Sequence, residues 1–191
     1  VIERDGQVLD SGYDTLAAAI AAAQEGDTVV LLQNVTVDSI IPVEESITLD
    51  LNGFVVENTV VEERPFHISA PRFVVDGTKA GSGMTIPADF EGTYGFIKVI
   101  APSAVTLQGG TYTGDTNNGA FVKLCADASD STLRLEDVSG STNYCIVNTD
   151  TLSTDASVTT LEVIGGTFLS ENNVFGIDTI NLSPILFEDV E

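Results

Sequence analysis

An apolar–x–apolar strand stopped by a turn recurs along this chain, and it narrows the fold more than any other feature. Its copies are Leu49-Asp-Leu-Asn-Gly53, Phe73-Val-Val-Asp-Gly77, Val105-Thr-Leu-Gln-Gly109, Leu133-Arg-Leu-Glu-Asp137, Leu161-Glu-Val-Ile-Gly165 and Ile185-Leu-Phe-Glu-Asp189. The starts at 49, 73, 105, 133, 161 and 185 leave intervals of 24, 32, 28, 28 and 24 residues. A second strand signature lies between copies, as Phe66-His-Ile, Phe96-Ile-Lys-Val, Phe121-Val-Lys-Leu and Tyr144-Cys-Ile-Val. Self-similarity at a few tens of residues marks a solenoid, and a propeller blade would need about 40 residues or more. The units hold strands and turns but no helical pattern, so the spacing predicts an all-β parallel solenoid of about six coils. Each coil would bury its apolar residues against the coils above and below it. Position-matched side chains would then stack at about 4.8 Å.

Composition agrees. Hydrophobic residues make up 43% of the 191, which argues against disorder, and Trp is absent. Seven Lys and Arg against 29 Asp and Glu give a net charge of −22. Phosphate binding needs a basic footprint, so nucleic acid is not an expected partner. No apolar run is long enough to span a bilayer. Val1 reads as a mature or trimmed start, and Glu191 follows a strand signature closely, as in a segment cut from a longer protein. Cys125 and Cys145 are assigned to adjacent coils. Matching Phe121 to Tyr144 puts Cys125 outside and Cys145 inside, which argues against a disulfide.

In chain order, residues 1–10 read as a short strand or arm with a turn at Asp5-Gly6. An alanine-rich helix follows within 13–26, with Asp14 or Thr15 as N-cap, Leu16 to Glu25 as its body and Gly26 as its stop. Leu16, Ala19, Ile20 and Ala23 form one stripe, fit to cover the open end of the first coil. Residues 27–191 are then coils, and 1–191 a single domain. Residues 77–83 and 87–92 read as a protruding insertion, and 148–157 as a polar loop. Helix, Gly-Asp-Thr-Val and Leu-Asp-Leu-Asn-Gly53 together resemble, over 13–53, the opening of right-handed parallel β-helix domains of the pectin-lyase-like type. That resemblance implies a right-handed β-helix and a secreted or cell-surface bacterial protein.

The candidate site is basic. Aligning Ile68-Ser-Ala-Pro71 with Val99-Ile-Ala-Pro102, and Phe96-Ile-Lys-Val with Phe121-Val-Lys-Leu, stacks His67, Lys98 and Lys123 in one outward column. The chain has only eight Lys, Arg and His. One reading is a cationic strip for a carboxylate or sulfate on a glycan. The plainer reading is that neighbouring acids neutralise each cation. Like charges on adjacent strands repel, so both readings require an anion nearby. A second column carries Asp50, Asp76, Gln108, Glu136, Ile164 and Glu188. Ca2+ bridging Asp50 and Asp76 is the metal site that this pattern allows. Arg134 beside Glu162 reads as an ion pair across coils.

Catalysis finds little support. Pectin-lyase-like hydrolases carry Asn-Thr-Asp, Asp-Asp, Gly-His-Gly and Arg-Ile-Lys motifs. Here Asn148-Thr-Asp150 stands alone, and His67 is the one histidine. A lyase base could come from Arg72 or Arg134, though no carboxylate cluster accompanies either. Asn34-Val-Thr36 and Asn181-Leu-Ser183 match the glycosylation acceptor pattern. The sequence therefore leads to a non-catalytic secreted or surface module contacting a glycan or a surface protein. A polysaccharide lyase or hydrolase and a purely structural stalk are the alternatives.

Overall fold

The computed structural model describes residues 1–10, 12–88, 90, 92–116, 119–149, 159–177 and 182–190. The chain opens with a hairpin of β1 (Ile2–Arg4) and β2 (Gln7–Asp10), followed by α1 (Leu16–Ala22). Strands then follow in threes: β3 (Thr28–Val30), β4 (Val35–Val37), β5 (Ile41–Val43); β6 (Ile47–Asp50), β7 (Val55–Asn58), β8 (Phe66–Ile68); β9 (Arg72–Gly77), β10 (Gly83–Thr85), β11 (Ile97–Val99). The winding continues through β12 (Ala104–Gly109), β13 (Thr111–Thr113), β14 (Ala120–Leu124); β15 (Thr132–Glu136), β16 (Ser139–Thr142), β17 (Cys145–Thr149); and β18 (Thr159–Ile164), β19 (Thr167–Ser170), β20 (Phe175–Ile177), ending at β21 (Leu182–Glu188).

Every third strand joins the same sheet. Sheet A has the order β2-β1-β3-β6-β9-β12-β15-β18-β21, sheet B is β4-β7-β10-β13-β16-β19, and sheet C is β5-β8-β11-β14-β17-β20. All pairings are parallel except those of the opening hairpin, so the fold is an all-β parallel solenoid. Strands alternate in and out with period two, and their inner residues stack between coils. On sheet A, buried Leu49, Val75, Leu107, Leu135 and Val163 form one ladder. On sheet C, Phe66, Ile97, Val122 and Val147 form another. Among the described residues no helix is long and apolar enough to cross a membrane.

Corners need backbone that most residues avoid. Asn52 and Gly53 both have positive φ, which turns the chain from β6 into β7. At Gly166 (φ 95°) a Cβ would lie 2.1 Å from the Val138 carbonyl oxygen of the coil below, so only glycine fits there.

Several expectations need correcting. The helix ends at Ala22, well before Gly26, because Ala23 is extended (φ −69°, ψ 148°) while its N–H still donates to Ala19 and Ile20 carbonyls. Thr15 is the N-cap, its Oγ1 accepting from Ala18 N–H at 3.1 Å. The buried stripe of Leu16, Ala19, Ile20 and Ala23 does join the common core. The opening arm is a hairpin turned at Asp5-Gly6, both with positive φ, and β1 pairs antiparallel with β3. Ile47, not Leu49, pairs with Phe73, so the first repeat copy shifts by two residues. Ala120, not Val122, pairs with Cys145, and Val122 pairs with Val147, so matching Phe121 to Tyr144 is also two residues out. A two-residue slip preserves which face a side chain takes, so the in–out assignments survive both corrections. Gly83 belongs to β10 rather than to a loop, and Asn148 belongs to β17. Residues 150–157 and Asn181 lie outside the described residues.

Candidate functional site

The middle residues of β8, β11 and β14 stand between buried neighbours: Phe66 and Ile68, Ile97 and Val99, Val122 and Leu124. Alternation turns His67, Lys98 and Lys123 outward. Register places His67 opposite Lys98, and Lys98 opposite Lys123, on consecutive strands of sheet C. Pro42 lies below this column and Asn148 above it.

Glu63, in the segment entering β8, is an anion beside Lys98 and His67. Its Oε2 accepts a charge-assisted bond from Lys98 Nζ at 2.5 Å. Its Oε1 accepts from the Arg64 backbone N–H at 3.0 Å and stands 3.7 Å from His67 Nε2. That last separation is too long for a hydrogen bond. His67 Nε2 is shielded from water and has no hydrogen-bond partner. Burial pushes the Glu63 carboxyl up, but the Lys98 bond, the Arg64 N–H and the charges of Lys98 and His67 outweigh it and hold it below the usual glutamate range. Burial pushes the His67 imidazole down. Glu63 opposes this, Lys98 and Arg64 reinforce it, and the result lies below the ordinary histidine value.

A buried polar network supports the site from behind. Arg64 is 3% exposed, and its Nε donates to the Ala120 carbonyl at 2.9 Å, reaching past the neighbouring coil. Its guanidinium stands 5.9 Å from the centre of the Tyr94 ring, within cation–π range. Buried Asn58 donates through Nδ2 to Thr93 Oγ1 (2.7 Å) and to the Gly95 carbonyl (2.6 Å). The Glu63 carbonyl accepts from Tyr94 N–H and Thr93 Oγ1, both at 3.3 Å. These bonds tie the segments ahead of β8, β11 and β14 into one wall. Sequence reasoning found the column but neither Glu63 nor Arg64. The demand for a neighbouring anion was the available signal, and Glu62-Glu-Arg64 just before β8 was where to look.

Asp50 and Asp76 are paired in register on β6 and β9, as the column predicted. Each carboxylate closes its own turn. Asp50 Oδ1 accepts from Asn52 N–H at 2.7 Å, and Asp76 Oδ1 accepts from Thr78 N–H at 3.0 Å and from Thr78 Oγ1 at 2.7 Å. Lys79 Nζ donates to Asn52 Oδ1 at 2.7 Å. Burial, with Asp76 adding to it, raises the Asp50 carboxyl despite the Asn52 N–H and Lys79. Among the described residues no three His, Cys, Asp or Glu side chains converge as a metal site. Asx turns of this kind give both carboxylates a structural task.

Arg134 meets Glu162 at 2.7 Å and Glu136 at 3.2 Å, and Gln108 Nε2 donates to Glu136 at 3.1 Å. Arg72 is exposed at the start of β9. Cys125 and Cys145 are not joined in a disulfide. Cys145 is buried, donating to the Val147 carbonyl at 2.8 Å and accepting from Gly176 N–H at 3.2 Å. Asp150 of the Asn148-Thr-Asp150 match lies outside the described residues.

No protein family, curated protein or solved structure matches this chain.

Proposed function

We propose that this chain is a non-catalytic, secreted or cell-surface β-solenoid module that contacts acidic glycans through the sheet C column. The resemblance of residues 13–53 to pectin-lyase-like β-helices supports the surface setting, and a right-handed winding goes with it. The observation that carries the glycan reading is the stacking of His67, Lys98 and Lys123 on three consecutive strands. On a chain of net charge −22, these cations stand within one outward row. Successive charges at about 4.8 Å suit the spaced anionic groups of a sugar polymer better than a single small anion. A rigid sheet also presents them without loop ordering. The carboxylates near Arg134 are held in ion pairs, which favours contact over turnover.

The test is binding to a panel of sulfated, carboxylated and neutral oligosaccharides at neutral and acid pH, alongside a chain-shortening assay on the same polymers. Retention of acidic glycans, lost in Lys98→Ala and Lys123→Ala and unaccompanied by shortening, supports the reading. Shortening of any polymer would replace it with the lyase or hydrolase alternative. A folded protein that retains no glycan would leave a structural stalk.

A further inference from the structure

Glu63 already occupies the place a ligand anion would take. Its carboxylate holds Lys98 and faces His67, whose Nε2 is shielded from water. An orphaned buried nitrogen beside a carboxylate calls for a physical reason. Here the 3.7 Å gap is the space that a reorganised oxygen would close.

We propose that Glu63 is an acid-sensitive gate over the column, and that the group admitted when Glu63 becomes neutral is a sulfate ester of a glycan, seated on Lys98 and His67. This rests on the glycan reading above and adds which anion binds and when.

The charged groups around the gate fix its direction. Facing Glu63 are Lys98 from β11, His67 from β8 and Arg64 from its own segment. Lys123 of β14 lies one strand beyond Lys98, and Tyr94 carries the Arg64 guanidinium. With Glu63 ionised, Lys98 is matched and an incoming anion meets a like charge. Proton uptake by Glu63 removes that charge and frees Lys98. Proton uptake by His67, also favoured by acid, adds a cation. Both changes favour anions. Lys98, the Arg64 N–H and His67 hold the Glu63 carboxyl below the usual glutamate range, so the gate opens in acid, the direction in which a glycan carboxylate also loses its charge. A sulfate ester stays ionised there, which is why the gate selects sulfate.

The isosteric Glu63→Gln variant opens the gate at neutral pH and keeps an oxygen for the Arg64 N–H. The expected result is at least tenfold tighter binding of a sulfated hexasaccharide by Glu63→Gln than by wild type at pH 7. Lys98→Ala should remove the gain, and binding should fall as salt rises. Equal affinity of wild type and Glu63→Gln at pH 7 would overturn the gate while leaving glycan contact standing. Failure of both to hold any glycan at any pH would sink the contact reading itself. His67 is the single histidine, so its imidazole proton signal gives a second readout on the wild-type chain, independent of the variant's folding. Inorganic sulfate should move the His67 titration upward. An unchanged titration would overturn sulfate seating.

Discussion

Tyr112 is a buried phenol whose hydroxyl has no hydrogen-bond partner. An unmet hydroxyl in a core costs about 1–3 kcal/mol. Tyr112→Phe should therefore raise stability by about 1 kcal/mol, seen as a higher urea midpoint at unchanged slope. A lower midpoint would show that the hydroxyl is satisfied. Two aspartates make opposite predictions. Asp27 is held below the ordinary carboxyl range chiefly by its hydrogen bond from Arg4, then against burial by Gln24 N–H and the Arg4 charge. A carboxyl lowered by folding stabilises above its unfolded pKa, and that contribution is lost as pH falls through its folded one. Asp50 is raised by burial, so its ionisation opposes folding and stability returns as pH falls through its folded value. Asp27→Asn should thus lower stability at pH 7, and Asp50→Asn should raise it. Both differences should shrink in acid, measured as midpoints across pH. Asp50→Asn keeps an oxygen for the Asn52 N–H, so the turn survives. The outward column was legible because Lys and His interrupt apolar strands at fixed parity. Glu63 was not, because it lies outside the strands and no periodicity fixes where such a segment lays a side chain.

Among the elements, α1 and the β1–β2 hairpin close one end of the stack. The helix contributes Leu16, Ala19 and Ile20 to the core and its C-cap adds Ala23, while the hairpin extends sheet A with Arg4 bonded to Asp27 at 2.6 Å. Seven residues are too few for a helix that holds itself in water. Thr15→Ala should cost about 1 kcal/mol through its lost cap. Removing residues 1–26 should cost far more, uncovering the core edge and giving aggregation visible by light scattering. A soluble, cooperatively folding truncation would show that the first coil needs no cover. Sheet B was the element least legible in sequence. Gly83-Met-Thr85 and Ser139-Gly-Ser-Thr142 lack an apolar alternation, because Gly140 leaves its core place to neighbours: a Cβ there would lie 2.8 Å from Ile146.

For the whole molecule, a charge of −22 is spread over stacked coils that hold like charges near one another. Self-repulsion works against the compact state, and salt screens it. Added sodium chloride should raise Tm by a few degrees, since 1 kcal/mol is about 2–4 °C at this size. A falling Tm would mean that ion pairs such as Arg134–Glu162 outweigh the repulsion. The far end of the stack differs from the capped one. Phe187 shares a ladder with buried Val163 yet is 47% exposed, packed against Phe175 at 5.2 Å between ring centres.

The sequence alone determined that the chain is wound in coils, which residues face inward, and that His67, Lys98 and Lys123 share a column with Asp50 and Asp76 sharing another. Period and parity are local properties, and a parallel stack repeats them faithfully. Tertiary structure decided what those columns meet. Glu63 reaches Lys98 and Arg64 reaches Ala120 because segments of unequal length fold back across coils, and their closing geometry depends on every bond in the wall behind them.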